Sequence, residues 1–252
     1  MEKIKFVIGG RTGDLFHCLY VVKNTCELFK TKAELYITND FRYGGDSFLL
    51  PIEKTFEDLH PLITKQSYIS SFSILNKDIQ KFVNLNIWRP TIGIHRNWIT
   101  MLCDVYGLPK SGKNWITSEN YDKFKNKIVI HRSTRRHSLN FPWEKIVNNN
   151  DCIFLTSDIN EYNSFQYKDK VQLHLWKNFL ELANIINSSK IFIGNQSTPL
   201  ALAHGLGSPR LAELNRTDQR FYIGEEKVLP NYYYFSDNLP GHIVGLDKFI
   251  KL

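Results

Sequence analysis

The chain has 252 residues, which is enough for one large or two small domains, and its 42% hydrophobic content is typical of globular rather than disordered proteins. A net charge of +7 favours an anionic partner, whether nucleotide phosphates, nucleic acid or acidic glycans. Scattered cysteines, a short N-terminal apolar run and the lack of an 18-residue apolar stretch argue against a disulfide framework, a signal peptide and a membrane span. We therefore expect a soluble, cytoplasmic protein without stable membrane insertion.

The first 38 residues predict a βαβ unit. An apolar run that ends in glycines predicts a buried strand at residues 4–10, and apolar positions at helical spacing predict a helix at 14–30. A second strand is predicted at 33–38. This arrangement implies a parallel sheet with a right-handed crossover.

The middle of the chain is less regular, with helices expected at 52–64 and 95–106, and alternation resumes at residue 127. Strands are predicted at 127–133, 152–157, 190–194 and 210–214, and helices at 141–147, 179–189 and 199–206. We therefore predict an α/β fold with two Rossmann-like parallel-sheet domains, residues 1–118 and 119–252, that face a central cleft.

Ligands of open parallel sheets bind beyond the carboxyl ends of the strands, so the turns after the strands are the candidate sites. The first turn, GGRTGDLFH, lacks P-loop spacing and is only a partial dinucleotide fingerprint. Asp14 in this turn is either a helix N-cap or a general base at the mouth of the cleft. The other candidates here, on the acceptor or phosphate side, are Gly10, Arg11, Thr12, Gly13 and His17.

The second turn, HRSTRRHSLNFPWE, concentrates basic and hydroxyl side chains. A solvated charged surface is one interpretation. Because the cluster lies between a strand end and a helix start, where phosphates commonly bind, we favour diphosphate binding. The candidate donor-binding residues are Arg132, Ser133, Thr134, Arg135 and Arg136.

Two later turns also place polar side chains at helix starts. Asp158 and Glu161 either cap a helix or accept hydrogen bonds from ribose hydroxyls. The turn GNQSTP offers donors at a helix N-terminus, so we predict donor or nucleotide binding by Asn195, Gln196, Ser197 and Thr198.

Several chemistries lack their motifs. No Asp-x-Asp or paired histidine spacing predicts a metal site, and no Gly-x-Ser-x-Gly elbow predicts a hydrolase. No DNA- or RNA-binding motif accompanies the basic charge, so nucleic acid is a less favoured partner.

Three separated segments resemble the two-domain (GT-B) glycosyltransferases, and most closely the heptosyltransferase-like family. They are GDLFHCLYVVKNTCE, VIHRSTRRHSLNFPWEKIV and LANIINSSKIFIGNQSTPLALAHGLGSP, and they occur in the family's order. The third segment is the most specific. Residues 40–120 have no match to the family pattern.

The resemblance implies transfer of a sugar from a nucleotide diphosphate sugar to a hydroxyl of a glycan or glycoconjugate, with the donor held by the C-terminal half. It implies that Asp14 is the general base of an inverting displacement, that Ser133 and Thr134 contact phosphate, and that Glu161 contacts the nucleoside. Residues 195–198 correspond to the donor loop. Arginines and helix N-termini would stabilise the diphosphate, so neither a metal nor another cofactor is expected.

The chain departs from the family at the donor loop. Residues 196–198 replace Asp-Thr-Gly, Ala201 replaces a histidine, and Arg135 or Arg136 would take the place of a phosphate-binding lysine. The chain is also shorter than the usual enzyme, which implies a trimmed acceptor domain. The sugar and the base therefore stay open.

Three alternatives remain at this stage. A glycosyltransferase acting on modified DNA would suit the basic charge, and a non-catalytic nucleotide- or glycan-binding module would suit the departures and the short length. A nicotinamide-dependent oxidoreductase would need an acidic ribose ligand after the second strand, for which Asp40 lies late.

Overall fold

The computed structural model describes residues 2–91, 97–215, 227, 229–237 and 241–252. The predicted pair of parallel-sheet α/β domains is confirmed. One sheet has four strands and the other has six, and every strand pairing within them is parallel. The boundary at 118/119 stays a prediction.

The N-terminal domain follows the βαβ pattern read from its first residues. Its elements are β1 (Ile4–Ile8), α1 (Thr12–Leu28), β2 (Ala33–Ile37), α2 (Ile52–Ile63), β3 (Ile69–Ile74), β4 (Phe82–Asn84) and α3 (Trp98–Tyr106). The sheet order is β3-β2-β1-β4, so β1 lies inside the sheet and its carboxyl end opens onto the cleft. The predicted start of the third helix, at residue 95, lies outside the described residues.

The C-terminal domain alternates strands and helices throughout. Its elements are β5 (Ile128–His131), α4 (Trp143–Asn149), β6 (Cys152–Thr156), α5 (Ile159–Ser164), β7 (Gln172–Leu175), α6 (Phe179–Ser188), β8 (Ile191–Asn195), α7 (Thr198–Leu206), β9 (Arg210–Leu214) and β10 (Tyr232–Ser236). The order is β10-β9-β8-β5-β6-β7. The central strands β5, β6, β8 and β9 are buried along their whole length, as their near-continuous apolar runs predict.

One hydrophobic core runs through both domains, because α1 packs on α7 and α2 packs on α6. The segment that leads to the second domain adds polar contacts to this interface. The backbone N–H groups of Trp115 and Ile116 both donate to the Gly205 carbonyl at 3.0 Å, and the Trp115 indole donates to the Phe16 carbonyl at 2.7 Å. These contacts hold the two sheets in a fixed relation around the cleft.

Two features are absent from the described residues. None of the helices there is both long and apolar enough to cross a membrane. The same part of the chain has no cluster of three or more His, Cys, Asp or Glu side chains that could hold a metal ion.

Candidate active site

Two adjoining cavities lie where strand ends of both domains meet. The Asp14 cavity has a volume of about 310 Å³ and is lined by Asp14, Asp46 and Arg89 from the first domain and by Arg136 and Gln196 from the second. The Glu161 cavity has a volume of about 220 Å³. The lining residues that the two cavities share are Arg135, Ser197 and Thr198. A ligand that bridges the cavities therefore passes Arg135 and the N-terminus of α7.

The glycines of the first turn are required by close backbone approach. Gly10 has a φ of +110°, and a Cβ atom there would lie 2.1 Å from Nη2 of Arg89. A Cβ atom on Gly9 would lie 2.8 Å from the Thr38 carbonyl oxygen. Gly10 lines neither cavity, since Arg89 occupies the space beside it, so its predicted ligand contact is replaced by a structural role.

Asp14 is the third residue of α1, and the residue that precedes the helix is Arg11, so Asp14 is not the N-cap. Its Oδ2 accepts a hydrogen bond from Nη2 of Arg89 at 3.0 Å. Burial raises the pKa of the Asp14 carboxyl above its ordinary value, and the charge and hydrogen bond of Arg89 oppose that rise. The carboxylate faces the cavity from the first domain.

The N-termini of α1 and α7 meet across the domain interface. A Cβ atom on Gly13 would lie 3.6 Å from Cα of Thr198 and 3.7 Å from Cβ of Ala201, so the two helix starts are separated by about the width of one methyl group. Helix N-termini carry unpaired N–H groups and partial positive charge, which favour anions. Arg11 and Gly13 line the Asp14 cavity, whereas Thr12 lines the Glu161 cavity.

Arg132 does not fit its predicted role in donor binding. Its Nε and Nη2 donate to the two carboxylate oxygens of Glu213 at 3.0 and 2.9 Å, and Glu213 is fully buried. Arg132 lines neither cavity. The bidentate pair therefore ties the second turn to β9 and takes this guanidinium away from a ligand.

Asn195 likewise holds the protein rather than a ligand. It is fully buried, its Oδ1 accepts from the Ser133 backbone N–H at 3.0 Å, and its Nδ2 donates to Ser133 Oγ at 3.0 Å and to the Arg135 carbonyl. These bonds position the loop that carries Arg135. Thr134 is exposed and lines neither cavity, so its predicted phosphate contact has no support in the geometry.

Arg135 differs from its neighbour Arg132. Within the described part of the chain, its guanidinium makes no hydrogen bond or ion pair, and it faces both cavities. Arg136 lines the Asp14 cavity, and Ser133 lines the Glu161 cavity. The second turn therefore contributes an unpaired cation, Arg135, at the junction of the cavities. Asn195 positions this residue by donating a hydrogen bond to its backbone carbonyl.

The Glu161 cavity combines a carboxylate with apolar walls. Oε2 of Glu161 accepts from Thr156 Oγ1 at 2.5 Å, and His131 Nδ1 lies 3.9 Å from the same oxygen. Burial lowers the pKa of His131, which favours the neutral ring, while the Glu161 charge works in the opposite direction. The apolar walls include Leu50, Trp176 and Phe179. The apolar walls of such a cavity can accommodate a flat ring, and its carboxylate can accept hydrogen bonds from hydroxyl groups.

Asp158, the other acidic candidate of this turn, is the N-cap of α5, because its side chain accepts from the Asn160 backbone N–H at 2.9 Å. The capping interpretation therefore holds for this residue, although it also lines the Glu161 cavity. The Asp158 carboxylate begins a helix, whereas the Glu161 carboxylate accepts from Thr156 and lines the cavity.

His17 forms part of the buried wall beneath the Asp14 cavity. It is 1% exposed and stacks on Trp98 with ring centroids 4.2 Å apart. Burial, with the nearby His204 and Arg210, holds the pKa of His17 well below its ordinary value. His17 therefore lines the Asp14 cavity as a buried imidazole whose neutral form is favoured, and its predicted place on the acceptor or phosphate side stays a prediction.

Sequence reasoning missed four lining residues of the Asp14 cavity, which are Asp46, Trp88, Arg89 and Trp98. All four lie in the middle of the chain, which matches no motif. The one local signal is an arginine beside a tryptophan, and the Arg89 guanidinium does lie 4.8 Å from the centroid of the Trp88 ring. That signal alone does not identify the ion pair with Asp14.

No protein-family model matches the sequence, and no curated protein has a matching sequence. Solved structures do match the fold. A glycosyl transferase family 9 protein from Veillonella parvula DSM 2008 superposes with a TM-score of 0.60 and 11% identity, over 93% of this chain and 86% of its own.

Two E. coli proteins also share the fold, with somewhat lower TM-scores. The ADP-heptose lps heptosyltransferase II has a TM-score of 0.55 and 9% identity, over 93% of this chain and 90% of its own. The heptosyltransferase WaaC with ADP has a TM-score of 0.52 and 9% identity, over 84% and 87%. The predicted GT-B-like fold is thus confirmed, and its structural neighbours are of the family that the sequence resembles.

Proposed function

We propose that this protein is a glycosyltransferase that moves a sugar from a nucleotide diphosphate sugar to a hydroxyl group of a glycan or glycoconjugate. The observation that carries the proposal is the Asp14 cavity, where a carboxylate of the first domain faces Arg135 and the N-terminus of α7 in the second. A base on one wall and an anion-binding wall opposite it are what sugar transfer with a diphosphate leaving group needs.

The chemistry of the two cavities supports the following arrangement of the donor. The nucleoside occupies the Glu161 cavity, where Glu161 accepts hydrogen bonds from ribose hydroxyls and Trp176 packs against the base. The diphosphate lies at the junction, near Arg135 and the hydroxyls of Ser197 and Thr198. The sugar then extends into the Asp14 cavity. The presence of ADP in the E. coli WaaC structure, which shares this fold, supports a nucleoside diphosphate as donor.

The proposed reaction is a single displacement. Asp14 takes the proton of the acceptor hydroxyl as its oxygen bonds to the anomeric carbon, and the bond from that carbon to the diphosphate oxygen breaks with its electron pair on the leaving group. Attack opposite the leaving group inverts the anomeric configuration. Arg135 and the helix N-termini stabilise the charge that develops on the diphosphate, which is why no metal ion is required in this scheme.

Donor binding is tested by thermal shift with UDP, GDP, ADP, CMP and dTDP, with NAD as control and EDTA in every well. A ligand at about 100 times its dissociation constant adds roughly 2.7 kcal/mol to the free energy of unfolding, which moves the midpoint by several degrees. We expect one nucleoside diphosphate to stand apart from the others. A flat response, or stabilisation by NAD alone, contradicts the assignment of the Glu161 cavity.

Transfer is tested with the corresponding nucleotide sugar and a panel of glycan acceptors, again in EDTA. We expect a glycosylated product with inverted anomeric configuration. Donor binding without transfer or hydrolysis would instead identify a non-catalytic binding module. Binding to duplex DNA that weakens steeply with salt would identify DNA as the acceptor class.

A further inference from the structure

Arg89 in the wall of the Asp14 cavity contacts several groups of the first domain. It follows β4, and its Nη2 donates both to Asp14 Oδ2 at 3.0 Å and to the Gly9 carbonyl at 3.1 Å. Its Nη1 donates to Asp46 Oδ2 at 3.3 Å, and its guanidinium lies over the Trp88 ring. These contacts fix the guanidinium between the first turn and the two carboxylates.

The contact with Asp14 is one-sided. Arg89 engages Oδ2, whereas Oδ1 receives no hydrogen bond from any of the described residues. A carboxylate held through one oxygen keeps its rotamer and leaves the other oxygen free to accept a proton. The space that Arg89 needs is provided by Gly10, where any side chain would collide with the guanidinium.

We propose that Arg89 is a positioning residue for the reaction, which holds Oδ2 of Asp14 and directs Oδ1 toward the acceptor hydroxyl. This proposal rests on the proposed function of Asp14 as general base. Asp46, whose side chain is 64% exposed, is the second carboxylate on the same guanidinium and competes with Asp14 for its charge.

The charged groups around Asp14 set the direction of each expected effect. Arg89 and Arg11 lower the pKa of Asp14, Asp46 raises it, and burial is the largest influence and also raises it. From the second domain Arg135 and Arg136 line the same cavity, while His17 beneath it is held neutral by burial. Removing the Arg89 charge therefore moves the pKa of Asp14 upward, and removing the Asp46 charge moves it downward.

The test is the pH profile of kcat for the full-length protein and its Arg89→Gln, Arg89→Lys and Asp46→Asn variants, together with KM for the donor. We expect the acidic limb to move to higher pH in Arg89→Gln, with lower kcat near neutral pH and unchanged donor KM. Lysine retains the charge and restores the limb in part. Asp46→Asn moves the limb the other way. A merely structural role for Arg89 would not produce opposite shifts.

The matched control is Arg42→Gln, because Arg42 also bridges two aspartates of the first domain, Asp40 and Asp78, but lies outside both cavities. We expect it to leave the profile unchanged. An Arg89→Gln profile that coincides with the wild type, or one that moves to lower pH, would overturn the proposal.

A second measurement separates this proposal from the proposed function. The Asp14 carboxyl is titrated by ¹³C NMR in the wild type and in Arg89→Gln, with Asp14→Asn to assign the signal. A pKa that rises in Arg89→Gln supports the positioning contact even if the wild type transfers no sugar, in which case only the proposed function fails. An unchanged pKa overturns the contact whether or not transfer occurs.

Discussion

The two walls of the cleft both carry arginines, but they use them in opposite ways. On the first wall, which is formed by the N-terminal domain, Arg89 pairs with the carboxylates of Asp14 and Asp46. On the second wall, Arg132 is neutralised by Glu213, and Arg135 is left without a partner among the described side chains. The first domain thus presents a carboxylate held by an arginine, and the second presents an arginine without a partner among the described side chains.

The difference teaches that the number of basic residues in a turn does not predict how many reach a ligand. Arg132 and Arg135 lie three positions apart in the same turn, yet only Arg132 donates hydrogen bonds to the Glu213 carboxylate of β9. A carboxylate on one wall and an unpaired arginine on the other suit the two roles of the proposed reaction, proton removal and stabilisation of the diphosphate.

The largest expected effect comes from removing the Asp14 carboxylate, which we propose to be the general base. Asp14→Asn keeps the size and polarity of the side chain but cannot take a proton, so we expect transfer to fall by about 10²–10⁴-fold. Nucleoside diphosphate binding, measured by thermal shift, should persist because we propose that residues of the second domain hold the donor. Asp78→Asn, an exposed first-domain change outside both cavities, is the control and should retain activity. Normal turnover in Asp14→Asn would remove the distinction between the walls.

Breaking the neutralised pair of the second wall should damage stability instead. Arg132→Met leaves the fully buried Glu213 carboxylate without its guanidinium, and loss of one partner of a buried pair typically costs about 3–5 kcal/mol. Urea unfolding measures this loss. The exposed Arg42→Met should change stability little, because its ion pairs are solvated. If Arg132→Met unfolds like the wild type but binds donor poorly, the assignments of Arg132 and Arg135 must be exchanged.

Removing the free cation of the second wall should weaken donor binding. Hydrogen bonds to charged groups contribute about 1.5–3 kcal/mol, so Arg135→Gln should lower nucleoside diphosphate affinity about 10–100-fold with little change in the free energy of unfolding. Isothermal titration calorimetry measures the affinity. Arg135→Lys should recover part of it. Lys145→Gln, which removes an exposed cation from α4 away from the cavities, should have no effect.

The smallest expected effect concerns the buried layer beneath the walls. The pKa values of His17 and His204 are held well below the ordinary histidine value, first by burial, so the folded state binds fewer protons than the unfolded state in acid. The contribution of the two neutral histidines to the free energy of unfolding should therefore be fully present above about pH 6.5. Below that pH it should fall by at most roughly 1.4 kcal/mol per pH unit for each histidine.

His17→Phe keeps a ring against Trp98 and removes one titrating group, so we expect a shallower acid dependence of the urea midpoint. His60→Phe, the same substitution at an exposed position of α2, is the matched control. A His17→Phe protein with the full wild-type slope would show that His17 does not remain neutral in acid.

Much of the fold could be predicted from the sequence. The buried strands β1, β2, β5, β6, β8 and β9 were predicted, since strands covered on both faces read as continuous apolar runs. The missed strands are β3, β4, β7 and β10. In β3, β4 and β7 most residues are partly or largely exposed, whereas β10 is buried except at Phe235. The outermost strands of the two sheets are β3, β4, β7 and β10. An outermost strand pairs on one side only, so its hydrophobic pattern is weaker than that of a central strand.

The candidate site could be predicted only in part. Asp14, Arg135 and Ser197 do line the cleft, because strand ends of parallel sheets converge at one edge. Arg132 and Asn195 come from the same turns but face the protein, and their partners cannot be read from local pattern.

The sequence by itself determined two parallel sheets, the positions of most buried elements and the turns from which a ligand site would be built. It did so because burial periodicity and turn chemistry are local properties of the chain. Tertiary structure alone decided which charged side chains form ion pairs within the protein and which remain unpaired. Asp14 meets Arg89 across 75 positions of the chain, and Arg132 meets Glu213 across 81. Hydrogen bonds and ion pairs act only within a few ångströms, so folding decides which of these side chains become partners.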